Sequence, residues 1–341
     1  MRMVVDIPEY LVDRARQLIA AERYRDLSSF VAASMENQIG LEEGPLEEES
    51  HGALQRTLVS VKQSAPPWPF VDKLGVPSGR VPAVPYAHQK DSAVQALWPW
   101  GQINKLLPVK FAVRLLANSV SDSEPFLPLD DFRQTAAEMA RGFGQRLEGV
   151  DKQLKHKWGE RLSAGFPIGD RTESSLDRYA NHFVGSYRKS DGRRFGALFE
   201  LQFAGIQTDE TATSIGLTDA GAEFAKVRNP IIDDSDVTAP LGEAEIEFYL
   251  RHIEQRVPGE CHAFALVIDL IGGGATRRSE LAQEIKRKVP FDWTNTVAET
   301  YRAGSMSRMS DLDLLTKTKH GQTVEYGVSD RGLDWYHGYS R

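Results

Sequence analysis

The sequence predicts a mainly α-helical fold with short β hairpins, arranged as a small N-terminal unit followed by two similar C-terminal units. Three observations point there. Residues 1–7 alternate, and two helical patterns follow within 40 residues. From Leu106 onward apolar residues recur at helical spacing, as in Leu107, Phe111 and Leu115, then Phe132, Ala136, Met139, Phe143 and Leu147. Finally, residues 195–225 and 307–336 share one layout of helix end, strand, polar turn, strand and closing tag. At about 100–200 residues per domain, 341 residues suit two domains and a small third.

Composition narrows the function classes. An apolar share of 41% and a charged share of 26% fit a folded globular chain. No apolar run approaches the roughly 20 residues of a membrane span. The opening MRMVVDIPEY has no secretory pattern, so a cytoplasmic location is expected. One cysteine, Cys261, excludes an internal disulfide and a cysteine-based zinc finger. The net charge of −7 is uneven: residues 41–50 contribute −5, and residues 206–260, with 12 acids and 4 bases, contribute −8. The remainder sums to +6, so the acidic total does not argue against nucleic acid.

Met3, Val5 and Ile7 fall on one face of a short strand, with Arg2, Val4 and Asp6 on the other. Pro8 suits the first turn of a helix carrying Leu11, Ala15, Leu18 and Ile19. Ser28 suits the N-cap of a second helix bearing Phe30, Val31, Met35 and Ile39, which Gly40 ends. One strand and two short helices cannot bury a core by themselves, and the strand leaves an open edge. Pairing two copies removes both problems, so residues 1–40 are expected to form a homodimer.

This order and spacing resemble the ribbon-helix-helix family of DNA-binding dimers over residues 1–40. The resemblance implies that Arg2, Val4 and Asp6 face bases in the major groove, with Ser28 and Ser29 at a phosphate. Asp6 departs from what a polyanion favours, since it can only accept a hydrogen bond. Residues 41–100 read as a linker, first acidic and then rich in proline. Pro66, Pro67, Pro69, Pro77, Pro82, Pro85 and Pro99 forbid regular helix or central strand. The interleaved Trp68, Phe70, Trp98 and Trp100 suggest a stretch that lies on a folded surface.

Two units then follow, at 101–232 and 233–341. Each ends in a near-identical tag, Gly216-Leu217-Thr218-Asp219-Ala220-Gly221 and Gly327-Val328-Ser329-Asp330-Arg331-Gly332, where Thr218 and Ser329 suit N-caps. A helix, a hairpin and such a tag resemble the end of a winged helix-turn-helix domain, here in tandem. Upstream of the second hairpin, Thr276 would cap a helix RRSELAQEIKRKV, VPFDWTNT would be the turn, and Val297 to about Asp311 the recognition helix. In the first unit the same parts would be residues 176–188, the turn KSDGRR and a helix from Phe195.

Charge separates the two units. The first hairpin tip has Asp209 and Glu210; the second has Lys317, Lys319 and His320. The second unit also carries Arg277, Arg278, Arg302 and Arg308. The expected DNA contacts are therefore Arg277, Arg278, Arg302, Arg308, Lys317 and Lys319, in addition to the N-terminal set. The first unit suits a protein partner. A further basic cluster, Lys152, Lys155, His156, Lys157 and Arg161, follows Leu147.

No catalytic pattern is found. Gly272-Gly273-Gly274 is followed by arginines rather than the GK[ST] of a phosphate loop, and His252, Cys261 and His262 lack paired metal spacing. The expectation is a sequence-specific DNA-binding homodimer and transcriptional regulator, with no cofactor, metal, membrane or enzymatic activity. Two other readings fit the same residues: a protein-interaction scaffold, and an accessory DNA-binding subunit of a DNA-processing or defence complex.

Overall fold

Helix accounts for 56% and strand for 12% of the residues described. The structure is a computed structural model that describes residues 71–86, 98–168, 172–209, 212–320 and 323–339. Residues 1–40, expected to form a ribbon-helix-helix unit, and the acidic run at 41–50 therefore lie outside the described residues. The mainly helical class with small antiparallel sheets is the one the sequence predicts.

A one-turn helix, α1 (Val71–Leu74), precedes an extended stretch at 75–86. The first half continues with α2 (Leu107–Ala117), β1 (Leu127–Pro128), α3 (Leu129–Leu154) and α4 (Thr172–Tyr179), which runs into a π-turn at Ala180–Val184. Next come β2 (Ser186–Arg188), β3 (Arg193–Phe195), α5 (Ala197–Glu200), β4 (Ala204–Thr208), β5 (Thr213–Leu217), α6 (Asp219–Lys226) and α7 (Pro230–Asp234). The second half holds α8 (Glu243–Arg256), α9 (Pro258–Gly272), α10 (Arg278–Lys288), α11 (Asn295–Asp311), β6 (Leu315–His320), β7 (Thr323–Val328) and α12 (Asp330–Tyr339). All sheets are antiparallel: β1-β5-β4, β2-β3 and β6-β7.

The two repeated stretches share their local geometry bond for bond. Thr218 Oγ1 accepts from the Gly221 N–H at 3.1 Å and donates to the Gln202 carbonyl at 2.7 Å. Ser329 Oγ accepts from the Gly332 N–H at 3.0 Å and donates to the Asp313 carbonyl at 2.6 Å. The Thr218 and Ser329 N–H groups reach Phe203 O and Leu314 O, both at 3.0 Å. Gln202 and Asp313 share a left-handed φ of 57°. A Cβ on Gly221 or Gly332 would run into those same carbonyls of Phe203 and Leu314. The tag is thus a clamp in which a hydroxyl caps the next helix and a glycine admits the preceding backbone.

The copies diverge upstream of the clamp. In the second unit α11 runs 17 residues into its hairpin; in the first, α5 is a single turn of 4 residues. The stretch KSDGRR is not a turn between helices but the tip of the β2-β3 hairpin, closed by Arg188 and Arg193 on Asp191 and by Gly192 at φ 71°. The helix expected from Phe195 is therefore cut short. Thr276 also does not cap α10; its carbonyl accepts from the Tyr326 N–H at 2.9 Å, and Arg277 takes the N-cap position.

Buried apolar residues form one continuous cluster from Leu74 to Trp335, crossing from the first C-terminal unit into the second. Described parts of the Pro-rich linker belong to it. Val81 and Val84 are buried, and the Val84 N–H donates to Leu217 O at 2.7 Å, laying this stretch across β5. Ionic contacts inside the cluster are almost fully desolvated. Lys110 Nζ donates to the carbonyls of Phe224 and Val227, both at 2.6 Å, and faces Glu245 at 3.1 Å. Arg114 grips Asp233 with two bonds of 2.9 and 2.8 Å and also holds the carbonyls of Leu74, Ala225 and Val227. Two cations on α2 thus satisfy the carbonyls that α6 leaves open at its C-terminal end.

His252 stacks on Phe203 at 4.6 Å between ring centroids and lies 2.7 Å from the Leu201 carbonyl through Nε2. Burial pushes its pKa from 6.5 down to about 4, and the bond to Leu201 only partly opposes this. The buried ring is therefore neutral, while the unfolded chain takes up a proton below pH 6.5. Stability is expected to fall as pH drops from 6.5 towards 4, by up to about 3 kcal/mol from this residue. Urea unfolding across that range measures it. His252→Phe should flatten the slope, and equal slopes in the two proteins would remove His252 as its source.

Candidate nucleic-acid interface

The expected contacts divide into three groups. Arg2, Val4, Asp6, Ser28 and Ser29 lie outside the described residues. Arg277, Arg278, Lys317 and Lys319 are exposed and gather where α10 meets the β6-β7 hairpin. Arg302 and Arg308 are buried, and this overturns their assignment to DNA.

The exposed group is positioned by the hairpin. Lys317 pairs across the ladder with Tyr326, and Lys319 with Val324. The Tyr326 hydroxyl accepts from Arg278 Nε at 3.2 Å, which sets the guanidinium beside the Lys317 rung. Arg277 approaches Glu325 at 3.6 Å. Among the described residues no carboxylate pairs with Lys317 or Lys319. Lys317 is exposed, yet its pKa is pushed below the usual lysine value, first by desolvation. Lys105 and Arg278 add repulsion, opposed by Tyr326 and Asp311. The last turn of α10 adds exposed Lys286, Arg287 and Lys288.

The buried group lies on α11, the helix expected to read bases. Arg308 is 0% exposed and clamps Glu260 of α9 with bonds of 2.5 and 2.7 Å, while its third nitrogen holds the Ile103 carbonyl. Tyr249 of α8 donates to the same Glu260 at 3.1 Å. Arg302 is 3% exposed and pairs with Glu299 at 2.8 Å, one turn away. The reason is a neighbour distant in sequence. Residues 98–106 lie along α11: a Cβ on Gly304 would strike the backbone of Gly101, and one on Gly101 would strike the Thr300 carbonyl one turn earlier. Asp311 secures the stretch, accepting from Lys105 Nζ at 2.7 Å and from the Leu106 N–H at 3.1 Å. The α11 residues that keep some exposure, from Asn295 and Thr296 at its start to Ser307 and Ser310 near its end, include no lysine or arginine.

The first hairpin carries exposed Asp209, whose carboxylate accepts from the Ala212 N–H at 2.7 Å; the Glu210 position lies outside the described residues. In the basic cluster at the end of α3 and just beyond it, Lys152, Lys155 and Lys157 are exposed. His156 instead joins buried Asp151 at 2.8 Å, and Asp151 also takes the Leu162 N–H and the Ser163 N–H and hydroxyl. That set has a serine, a histidine and an aspartate but no nucleophile: the Ser163 hydroxyl is buried and donates to the carboxylate, not to the imidazole. Among the described residues no three His, Cys, Asp or Glu side chains could hold a metal, and no helix is long and apolar enough to cross a membrane. No protein family, curated protein or solved structure matches this chain.

Proposed function

We propose that the protein is a DNA-binding homodimer that regulates transcription, with residues 1–40 pairing the chains and reading sequence, and the β6-β7 hairpin gripping backbone phosphates. One observation carries the duplex contact: among the described residues Lys317 and Lys319 stand exposed with no carboxylate in salt-bridge contact, on a hairpin that follows two helices, beside Arg277 and Arg278. The order α9, Thr276, α10, α11, β6, β7, with Thr276 bonded to β7, supports a winged-helix reading of the second unit. The burial of Arg302 and Arg308 shifts its role towards phosphate, which fixes position without reading bases.

The test is a salt titration of full-length protein on duplex DNA. Changing Lys317 and Lys319 to Ala should make the slope of log affinity against log salt shallower by up to about two units, at roughly 0.9 per phosphate contact. An unchanged slope would remove the hairpin from the interface. The covered α11 favours one rival, a protein-interaction scaffold, for which mixed-sequence DNA would bind at no salt concentration.

A further inference from the structure

Between α10 and α11 the chain reads Lys286-Arg287-Lys288-Val289-Pro290-Phe291-Asp292-Trp293. Val289 is buried and anchors the turn, while Phe291 and Trp293 are half-buried. Trp293 lies parallel to Tyr301, with centroids 4.3 Å apart and an angle of 5°. Phe291 stacks on Trp293 at 5.7 Å and 26°. Trp98 meets Trp293 and Tyr301 edge-on at 5.6 and 6.2 Å, and Trp100 meets Tyr301 edge-on at 5.5 Å. Edges thus brace the Phe291–Trp293–Tyr301 ladder. Trp98 is sealed at 7% exposure, but the rings of the ladder keep partial contact with water.

Three cations, Lys286, Arg287 and Lys288, precede this ladder within five residues of Phe291. Lys286 Nζ donates to Asn295 Oδ1 at 2.8 Å, which brings its ammonium to the start of α11, two residues beyond Trp293. Lys288 is exposed, and Arg287 is exposed and shared with Glu284. Asp292, exposed between two of the rings, works against a polyanion.

We propose that this turn binds single-stranded nucleic acid, with an unpaired base stacked on the Phe291 end of the ladder and Lys286 and Lys288 on the flanking phosphates. Flat rings accept the face of any base, and neighbouring cations follow the backbone. A duplex hides its base faces, so it offers the ladder nothing to stack on. This surface lies beyond the hairpin contact proposed above and does not depend on it.

The experiment measures binding of the full-length protein to a short labelled oligothymidine, and to a duplex of equal length, by fluorescence anisotropy over a salt series. Oligothymidine should bind. Phe291→Leu, which keeps apolar packing but loses the flat ring, should weaken that binding by about 5- to 150-fold, the range for one stacked base. Phe291→Tyr should restore it, with thermal melting confirming that each variant is folded. Changing Lys286 and Lys288 to Gln should make the single-strand salt slope shallower by up to about 1.4 units, at roughly 0.7 per contact. No binding of oligothymidine, or equal binding by Phe291→Leu, overturns the proposal. A protein that binds duplex but not oligothymidine loses this surface and keeps the hairpin reading; one that binds only oligothymidine through Phe291 does the reverse.

Discussion

Replacing Arg114 by Met is expected to destabilise the fold by at least about 3–5 kcal/mol, the cost of leaving one partner of a buried ion pair behind. Arg114 is 0% exposed, and its guanidinium serves the Asp233 carboxylate and three carbonyls at once. Burial works against the charged form of Asp233, but the bonds from Arg114 and the Asn229 N–H outweigh it and hold the pKa below the usual carboxylate value. Without the guanidinium, Asp233 keeps the Asn229 N–H at 2.6 Å, and the end of α6 loses the Arg114 donors to Ala225 O and Val227 O while keeping those of Lys110. Urea unfolding at neutral pH reads the loss. The native pair also fixes a sign: an aspartate with a depressed pKa gives stability that is complete above its unfolded value of 3.8 and is lost as pH falls through the folded one. The variant should lack that acid-side loss, since a carboxylate left in the core is favoured in its neutral form. A midpoint shift equivalent to less than about 1 kcal/mol, the scale of an exposed pair, would mean that water reaches the site.

Replacing Arg308 by Met should cost a similar amount, about 3–5 kcal/mol, because Glu260 is also 0% exposed and would be left in an apolar setting without its ionic partner. The double variant Arg308→Met with Glu260→Met should recover most of this, since an apolar pair of similar volume often replaces a buried ion pair without loss. The Tyr249 hydroxyl, which donates to Glu260, then limits the recovery. Arg308 ties α11 to α9 and to the Ile103 carbonyl and has no path to solvent. Whatever polyanion binding the folded variant retains should therefore keep the parent salt slope. A shallower slope in a variant of parental stability would return Arg308 to the interface and overturn its structural role.

Much of the fold was legible because local rules decide it. The helices from Leu107 and Leu129 follow from apolar spacing. The twin tags follow from one local mechanism, a hydroxyl cap and a glycine under a carbonyl, so their likeness in sequence becomes likeness in structure. The exposed cations on the second hairpin were legible for the same reason: strand alternation and a polar turn place Lys317 and Lys319 without help from distant residues. The β2-β3 hairpin was missed because KSDGRR has the residues of any tight turn, and nothing local says whether helices or strands flank it.

The sequence by itself determined the helical class, the repeat and the charge contrast between the two hairpins, since each depends on residues within a few positions of one another. Tertiary structure alone decided which arginines meet solvent. Arg302 and Arg308 look like surface cations in a helix of weak amphipathic pattern, and Gly101, whose backbone lies against Gly304, is some 200 residues away. A buried guanidinium is stable only if a carboxylate is buried with it. Glu260 lies on another helix, so its pairing with Arg308 exists only once α9, α11 and residues 98–106 have packed together.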